Sequence, residues 1–226
     1  MVFWVSILNI VVIDLVLSGD NAVVIGMAAH RLPPKQRRAA ILIGGAAAIG
    51  LRILLTAIAA VLLRIPGLEF VGGLLLIWIG FRLLKEEEES HEGIRVAASM
   101  REAITTILVA DFIMSTDNVL GVAAASGGHL GLLMFGLVLS MAILMFMGSL
   151  VADLLNKFWW LAYVGSGVIV WTGALMFVED EIMAWLPFVR GAGVYAFADV
   201  VTASTLLLAH WFHRVRRPAT AKSAQL

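Results

Sequence analysis

Two stretches of the chain carry the same polar pattern in apolar surroundings. Asp14, Ser18, Asp20 and Asn21 form the first, and Asp111, Ser115, Asp117 and Asn118 the second, both reading D-x-x-x-S-x-D-N. A fifth acid, Asp199, stands alone in a third apolar stretch. An aspartate at the centre of a membrane helix costs about 2.5–3.5 kcal/mol on insertion scales, so five facing lipid would cost on the order of 12–17 kcal/mol. These acids are therefore expected to face a protein interior. Arg52 is the basic residue set at comparable depth, and it can neutralise one acid, which leaves a surplus of negative charge in a dry region. A bound cation, bound protons or both must balance that surplus. Carboxylate, amide carbonyl and hydroxyl oxygens are hard ligands that suit Mg²⁺, Ca²⁺ and Mn²⁺, whereas softer ions recruit His, Cys or several Met. His30, His129, His210 and His213 fall near predicted helix ends, away from the acids. The residues alone do not choose among the hard ions.

The elements that hold these acids follow from composition. Of 226 residues, 61% are hydrophobic and 14% charged, with a mean hydropathy of +0.97, no cysteine and zero formal net charge. Soluble domains run near half apolar and a quarter charged, so this chain belongs among membrane proteins with the lipid bilayer as solvent. The lack of cysteine excludes disulfides, thiolate metal sites and cysteine nucleophiles. Neutral net charge speaks against nucleic acid as a partner. A spanning helix needs about 20 apolar residues, and seven stretches qualify as candidates: 2–29, 39–63, 70–84, 104–125, 130–151, 158–178 and 188–211. The third is short, and Arg82 near its end is expected to snorkel. The first lacks a basic start and a small-residue cleavage site, so it reads as a span and not as a cleaved signal peptide.

Orientation comes from the basic residues. With the N-terminus outside, the inner loops hold Arg31, Lys35, Arg37, Arg38, Arg82, Lys85, Arg95, Arg101 and Lys157, and the tail adds Arg214, Arg216, Arg217 and Lys222. Only Arg64 and Arg190 fall outside. The expected setting is a cell inner (plasma) membrane, with the C-terminus cytoplasmic. The acidic run 86–89 reads as a solvated cytoplasmic linker that caps the third helix. Trp159, Trp160, Tyr163 and Trp185 fit interfacial belts.

The two motifs belong to a longer repeat. Val71-Gly72, Trp78, Gly80 and Glu86 in the third stretch match Val164-Gly165, Trp171, Gly173 and Glu179 in the sixth. Each copy holds three spans, an odd number, so the second must enter from the opposite side of the membrane. The copies form an inverted-topology pair of the kind found in secondary transporters, with the acids at mid-depth. The expected fold is thus all-α and polytopic: one transmembrane domain over residues 1–226, with repeats 1–88 and 97–181, a seventh helix over 188–213 and a cytoplasmic tail over 214–226. Asp14, Ser18 and Asn21 stack on one helix face, as do Asp111, Ser115 and Asn118. Asp20 and Asp117 point about 120° away on a regular helix. To join one site, both helices would have to loosen, near Ser18-Gly19 and near Ser115-Thr116.

These motifs, the V-G-G…W-I-G and V-G-S…W-T-G segments and the seven-span length resemble the TerC-like integral membrane family, in its YjbE-type branch. The resemblance covers most of residues 3–212. It implies kinship with the LysE-type exporter superfamily, and manganese as a transported ion, exported from the cytoplasm, with no resident cofactor. Carried over by position, it implies metal residues at Asp14, Asp20, Asn21, Asp111, Asp117 and Asn118. Ser18, Ser115, Asp199 and Arg52 are accessory or proton-coupling candidates, and self-association into a homo-oligomer is compatible with the sequence. An H⁺/Mn²⁺ antiport would drive export without nucleotide, and no phosphate-binding glycine-lysine loop occurs.

The expectation is of a transporter and not an enzyme. A lipid-phosphate enzyme would need several deep cations, where only Arg52 is available. An intramembrane aspartyl protease would need a G-x-G-D sequence, and Leu17 stands where its first glycine should be. The alternatives of a different class are a membrane partner that supplies metal to other proteins or assembles them, and a metal-dependent membrane-embedded enzyme.

Overall fold

The computed structural model describes residues 2–62, 67–91, 99–125, 130–183 and 192–216. Eight helices and one short 3-10 turn occur among them: α1 (Val2–Leu17), α2 (Gly19–Ala29), α3 (Pro34–Leu62), α4 (Leu68–His91), α5 (Met100–Ala125), α6 (Leu130–Lys157), α7 (Leu161–Glu179), the turn Glu181–Met183, and α8 (Ala192–Arg216). Each of the seven expected stretches falls on helix, the first on two. By length and composition four segments can cross a membrane: Pro34–Thr56, Met134–Lys157, Leu161–Glu179 and Ala192–Trp211. A fifth crossing is made when Ile10–Leu17 and Gly19–Ala29, bent by 56°, form one broken span. The protein is an all-helical, multi-pass membrane protein.

The break falls where the sequence expected it. Ser18 leaves the helical conformation at φ −116° and ψ 14°. A Cβ on Gly19 would meet nothing within 4 Å, and Gly67 is the glycine with positive φ among the described residues. Gly19 therefore supports the break through glycine's low helix propensity, not through packing or left-handed backbone. The second expected break does not occur, because α5 runs without interruption through Ser115 and Thr116. Thr116 donates its hydroxyl to the Phe112 carbonyl at 2.9 Å, a bond made within an intact helix.

One further expectation is corrected. The helix of the third stretch runs past its short apolar part to His91, and α4 is not among the segments long and apolar enough to cross a membrane. Accordingly the acidic run is not a linker: Glu86 pairs with Arg31 and Arg82, Glu87 meets His30 at 2.5 Å, and Arg82 also pairs with Glu102. Opposite charges from α4, α5 and the end of α2 neutralise one another there, which lets the helix continue.

The helices pair closely as α4 with α7, α3 with α5, and α2 with α6, while α8 lies against α7 and α4. Small residues allow the α4–α7 approach. A Cβ on Gly73 would strike the Gly173 carbonyl, and one on Gly173 would come 2.8 Å from the Gly73 carbonyl. Ser166 donates to the Gly80 carbonyl at 2.8 Å. Elsewhere Ile107 lies over Gly44 and Ile10 over Gly136. A core of Val24, Met27, Leu76, Ile79, Ile113 and Ile169 fills the space between α2, α4, α5 and α7.

Candidate cation site

Asp14 lies in the last turn of α1, and one turn on, Ser18 donates to its Oδ1 at 3.3 Å. Arg52 reaches from α3 between this acid and Asp111 of α5. Its Nη1 donates to Asp14 Oδ1 at 2.7 Å and Oδ2 at 2.9 Å, and its Nη2 to Asp111 Oδ1 at 2.9 Å. Asp14 is fully buried, and Arg52 and Asp111 are each 3% exposed. A rigid guanidinium fork suits this bridging of two carboxylates, which a point-charge ammonium would not reproduce.

Arg52 was expected to neutralise one acid; it holds two, and this is what brings the two motifs together. Two further polar groups complete the cluster. Ser140 of α6 donates to Asp14 Oδ2 at 2.5 Å, and Asn21 of α2 donates Nδ2 to Asp111 Oδ1 at 3.1 Å. Five helices thus converge on one buried polar centre. Its acceptors are not all used: Asp111 Oδ2 and Asn21 Oδ1 are buried without a hydrogen-bond partner. Counted formally, two carboxylates share one guanidinium, so one negative charge is left over. Buried oxygen atoms in that condition attract a cation.

Asp20 goes elsewhere. The bend at Ser18 turns it toward α7, where Thr172 donates to Oδ2 at 3.2 Å, and its Oδ1 is buried without a partner. Ser115 is buried one turn beyond Asp111. Asp117 and Asn118 lie on α5, with side chains outside the described residues. Among the described residues no three carboxylate or imidazole groups stand close enough to hold a metal ion. Asp199 does not join the centre. It is exposed on α8 and accepts from Trp171 Nε1 at 3.2 Å, a surface pairing where an interior position was expected.

Ser140 and Thr172 escaped the sequence reading. Thr172 left a signal, because the matched segments W-I-G and W-T-G differ at that position alone, with Ile79 in one and Thr172 in the other. Ser140 left only its isolation in an apolar run.

A multi-pass helical membrane protein with a buried acidic centre spanned by an internal arginine is the class that fold and site define. The chain is a member of the integral membrane protein TerC family, whose match covers residues 1–217. It is 39% identical over 212 residues to the uncharacterized membrane protein YjbE of Bacillus subtilis, covering 94% of this chain and 96% of that one. It is 27% identical over 171 residues to the UPF0053 inner membrane protein YgdQ of Escherichia coli, covering 68% and 72%. The inner membrane protein YoaE of Escherichia coli is 30% identical over 173 residues, which span 68% of this chain and 33% of YoaE. No solved structure matches the chain.

Proposed function

We propose that this protein exports a divalent cation, Mn²⁺ as the leading substrate, by proton-coupled alternating access of two inverted three-helix units. The observation that carries the reading is the Asp14–Arg52–Asp111 centre, with its surplus charge and unused buried oxygens. Asp14, Asp111, Asn21, Ser18 and Ser140 supply only oxygen ligands, the set preferred by hard ions. Asp20, Asp117 and Asn118 complete the ligand set in this reading, and proton exchange at Asp20 and Asp117 provides the coupling.

The inverted repeat is supported by contacts that trade places between the halves. Gly73 and Ser166 each lie seven residues before Gly80 and Gly173. Exchanging the halves therefore turns the Gly73–Gly173 contact into the Ser166–Gly80 contact. Ile10 and Ile107 each precede their motif by four residues, and each covers a glycine on the second helix of the other half. A two-fold axis in the membrane plane produces such pairs. In this reading the N-terminus lies outside and the C-terminus in the cytoplasm. Single cysteines at Ser90 and Gly128 should then react with impermeant reagent from inside and outside respectively, and labelling of both from one side would overturn this topology.

The deciding experiment is Mn²⁺ flux in proteoliposomes containing this protein alone. An imposed pH gradient at clamped voltage should drive Mn²⁺ toward the acidic side, with protons moving the other way. Asp20→Asn and Asp117→Asn should each abolish Mn²⁺ binding in folded protein. Flux indifferent to the gradient would refute the antiport; no flux at all would favour a metal-supplying partner of other proteins.

A further inference from the structure

We infer that Arg52 is a tethered counter-cation: it occupies the Asp14–Asp111 pair in the unloaded carrier, leaves it when a divalent ion enters, and returns when the ion departs. This rests on the reading that the acid pair takes a metal ion. Four oxygen atoms of Asp14 and Asp111 surround the bridging region, and the guanidinium now engages three of them. The fourth, Asp111 Oδ2, and Asn21 Oδ1 are buried acceptors that no hydrogen bond of normal geometry engages, and the Ser115 hydroxyl one turn beyond Asp111 is likewise unengaged. An ion placed between the acids would satisfy these two acceptors and take the oxygens that Arg52 uses. The guanidinium and the ion therefore compete for one place, and like charges a few ångströms apart in a poorly screened interior repel strongly.

The arrangement on α3 has no counterpart on α6. Gly44 lies eight residues before Arg52, and Gly136, its partner in the exchanged contacts, lies eight before Leu144. Leu144 is fully buried and apolar. One arginine thus serves acids from both halves. A carrier that has released its ion must reorient with those acids empty, and bare buried carboxylates resist that step. Arg52 supplies the missing charge from within the protein, so Asp14 and Asp111 need no external ion for the return.

The test uses the full chain with Mn²⁺ as probe, comparing Arg52→Gln with the unaltered protein. Free Mn²⁺ counted by electron paramagnetic resonance gives the affinity. Radiolabelled Mn²⁺ gives two rates in proteoliposomes: exchange, with Mn²⁺ on both sides, and net flux, with Mn²⁺ on one side. Removal of the competitor should tighten Mn²⁺ binding by about tenfold or more. It should raise the ratio of exchange to net flux by a similar factor, since exchange never requires the empty carrier to reorient. Weaker or unchanged binding, or an equal fall of both rates, would overturn the inference. Should Arg52→Gln not fold, Arg52→Lys decides: an ammonium that cannot bridge both acids should be displaced severalfold more easily, and unchanged or weaker Mn²⁺ binding would refute the idea. Absence of Mn²⁺ binding and flux in the unaltered protein would instead refute the metal reading on which the inference stands.

Discussion

The two copies of the D-x-x-x-S-x-D-N pattern occupy helices that behave differently. In the first copy the chain breaks at Ser18, which lets Asp14 and Asp20 diverge: one reaches Arg52 and Ser140, the other Thr172. In the second copy α5 is continuous, and Asp111 joins the Arg52 bridge from an ordinary helix. Equal motifs therefore do not make equal sites. Of the four positions at which the segments differ, the one after the serine, glycine or threonine, bears on the break, together with what each helix packs against.

Several substitutions would break or sharpen that contrast. The largest effect is expected at Asp14→Ala, which takes a carboxylate from Arg52, Ser18 and Ser140 at once. Loss of one partner of a buried ion pair costs about 3–5 kcal/mol, to be read as a lowered unfolding midpoint in detergent. Asp20→Asn, at a carboxylate that accepts from Thr172 and makes no ion pair among the described residues, should cost about 1 kcal/mol by the same measurement. A midpoint loss at Asp20→Asn equal to that at Asp14→Ala would erase the distinction between the two acids.

Packing supplies the next comparison. Gly73→Ala would drive a methyl group into the Gly173 backbone and should cost about 1–3 kcal/mol. Gly19→Ala meets no atom and should be neutral or stabilise by up to about 1 kcal/mol through helix propensity, straightening the first span. Thermal unfolding of the two variants side by side checks both signs. The smallest loss belongs to Asp199→Asn, which keeps an acceptor for Trp171 and replaces a charge on the outer face of a spanning helix by a neutral amide, so it should not lower the unfolding midpoint. Mn²⁺ binding by that variant should match the unaltered chain, and its loss would bring α8 into the site.

Much of this was legible in the residues. Apolar runs marked every helix, and Gly19 after Ser18 marked the break, because glycine weakens a helix wherever tertiary contacts do not compensate. The symmetry of the motifs misled at the second copy, where Thr116 stands in place of glycine and its hydroxyl bonds to a carbonyl of its own helix, leaving the ladder intact. The run 86–89 misled for another reason: a string of acids reads as solvated unless its partners are known, and while Arg82 stands one turn before Glu86 on the same helix, Arg31 and His30 are brought to the run by folding alone. Asp199 shows the limit of cost arguments, because a tryptophan on a neighbouring helix offered a hydrogen bond at the surface. That Arg52 would reach both motifs could not be read from spacing, which fixes faces within one helix but not distances between two.

With arginine at position 52 and leucine at 144, the buried centre is lopsided. Asp14 and Asp111 lean on the same guanidinium, which α3 lends, while α6 offers a hydroxyl and a hydrocarbon wall. The two acids thus hang from one lever, and any sliding of α3 would loosen both at once.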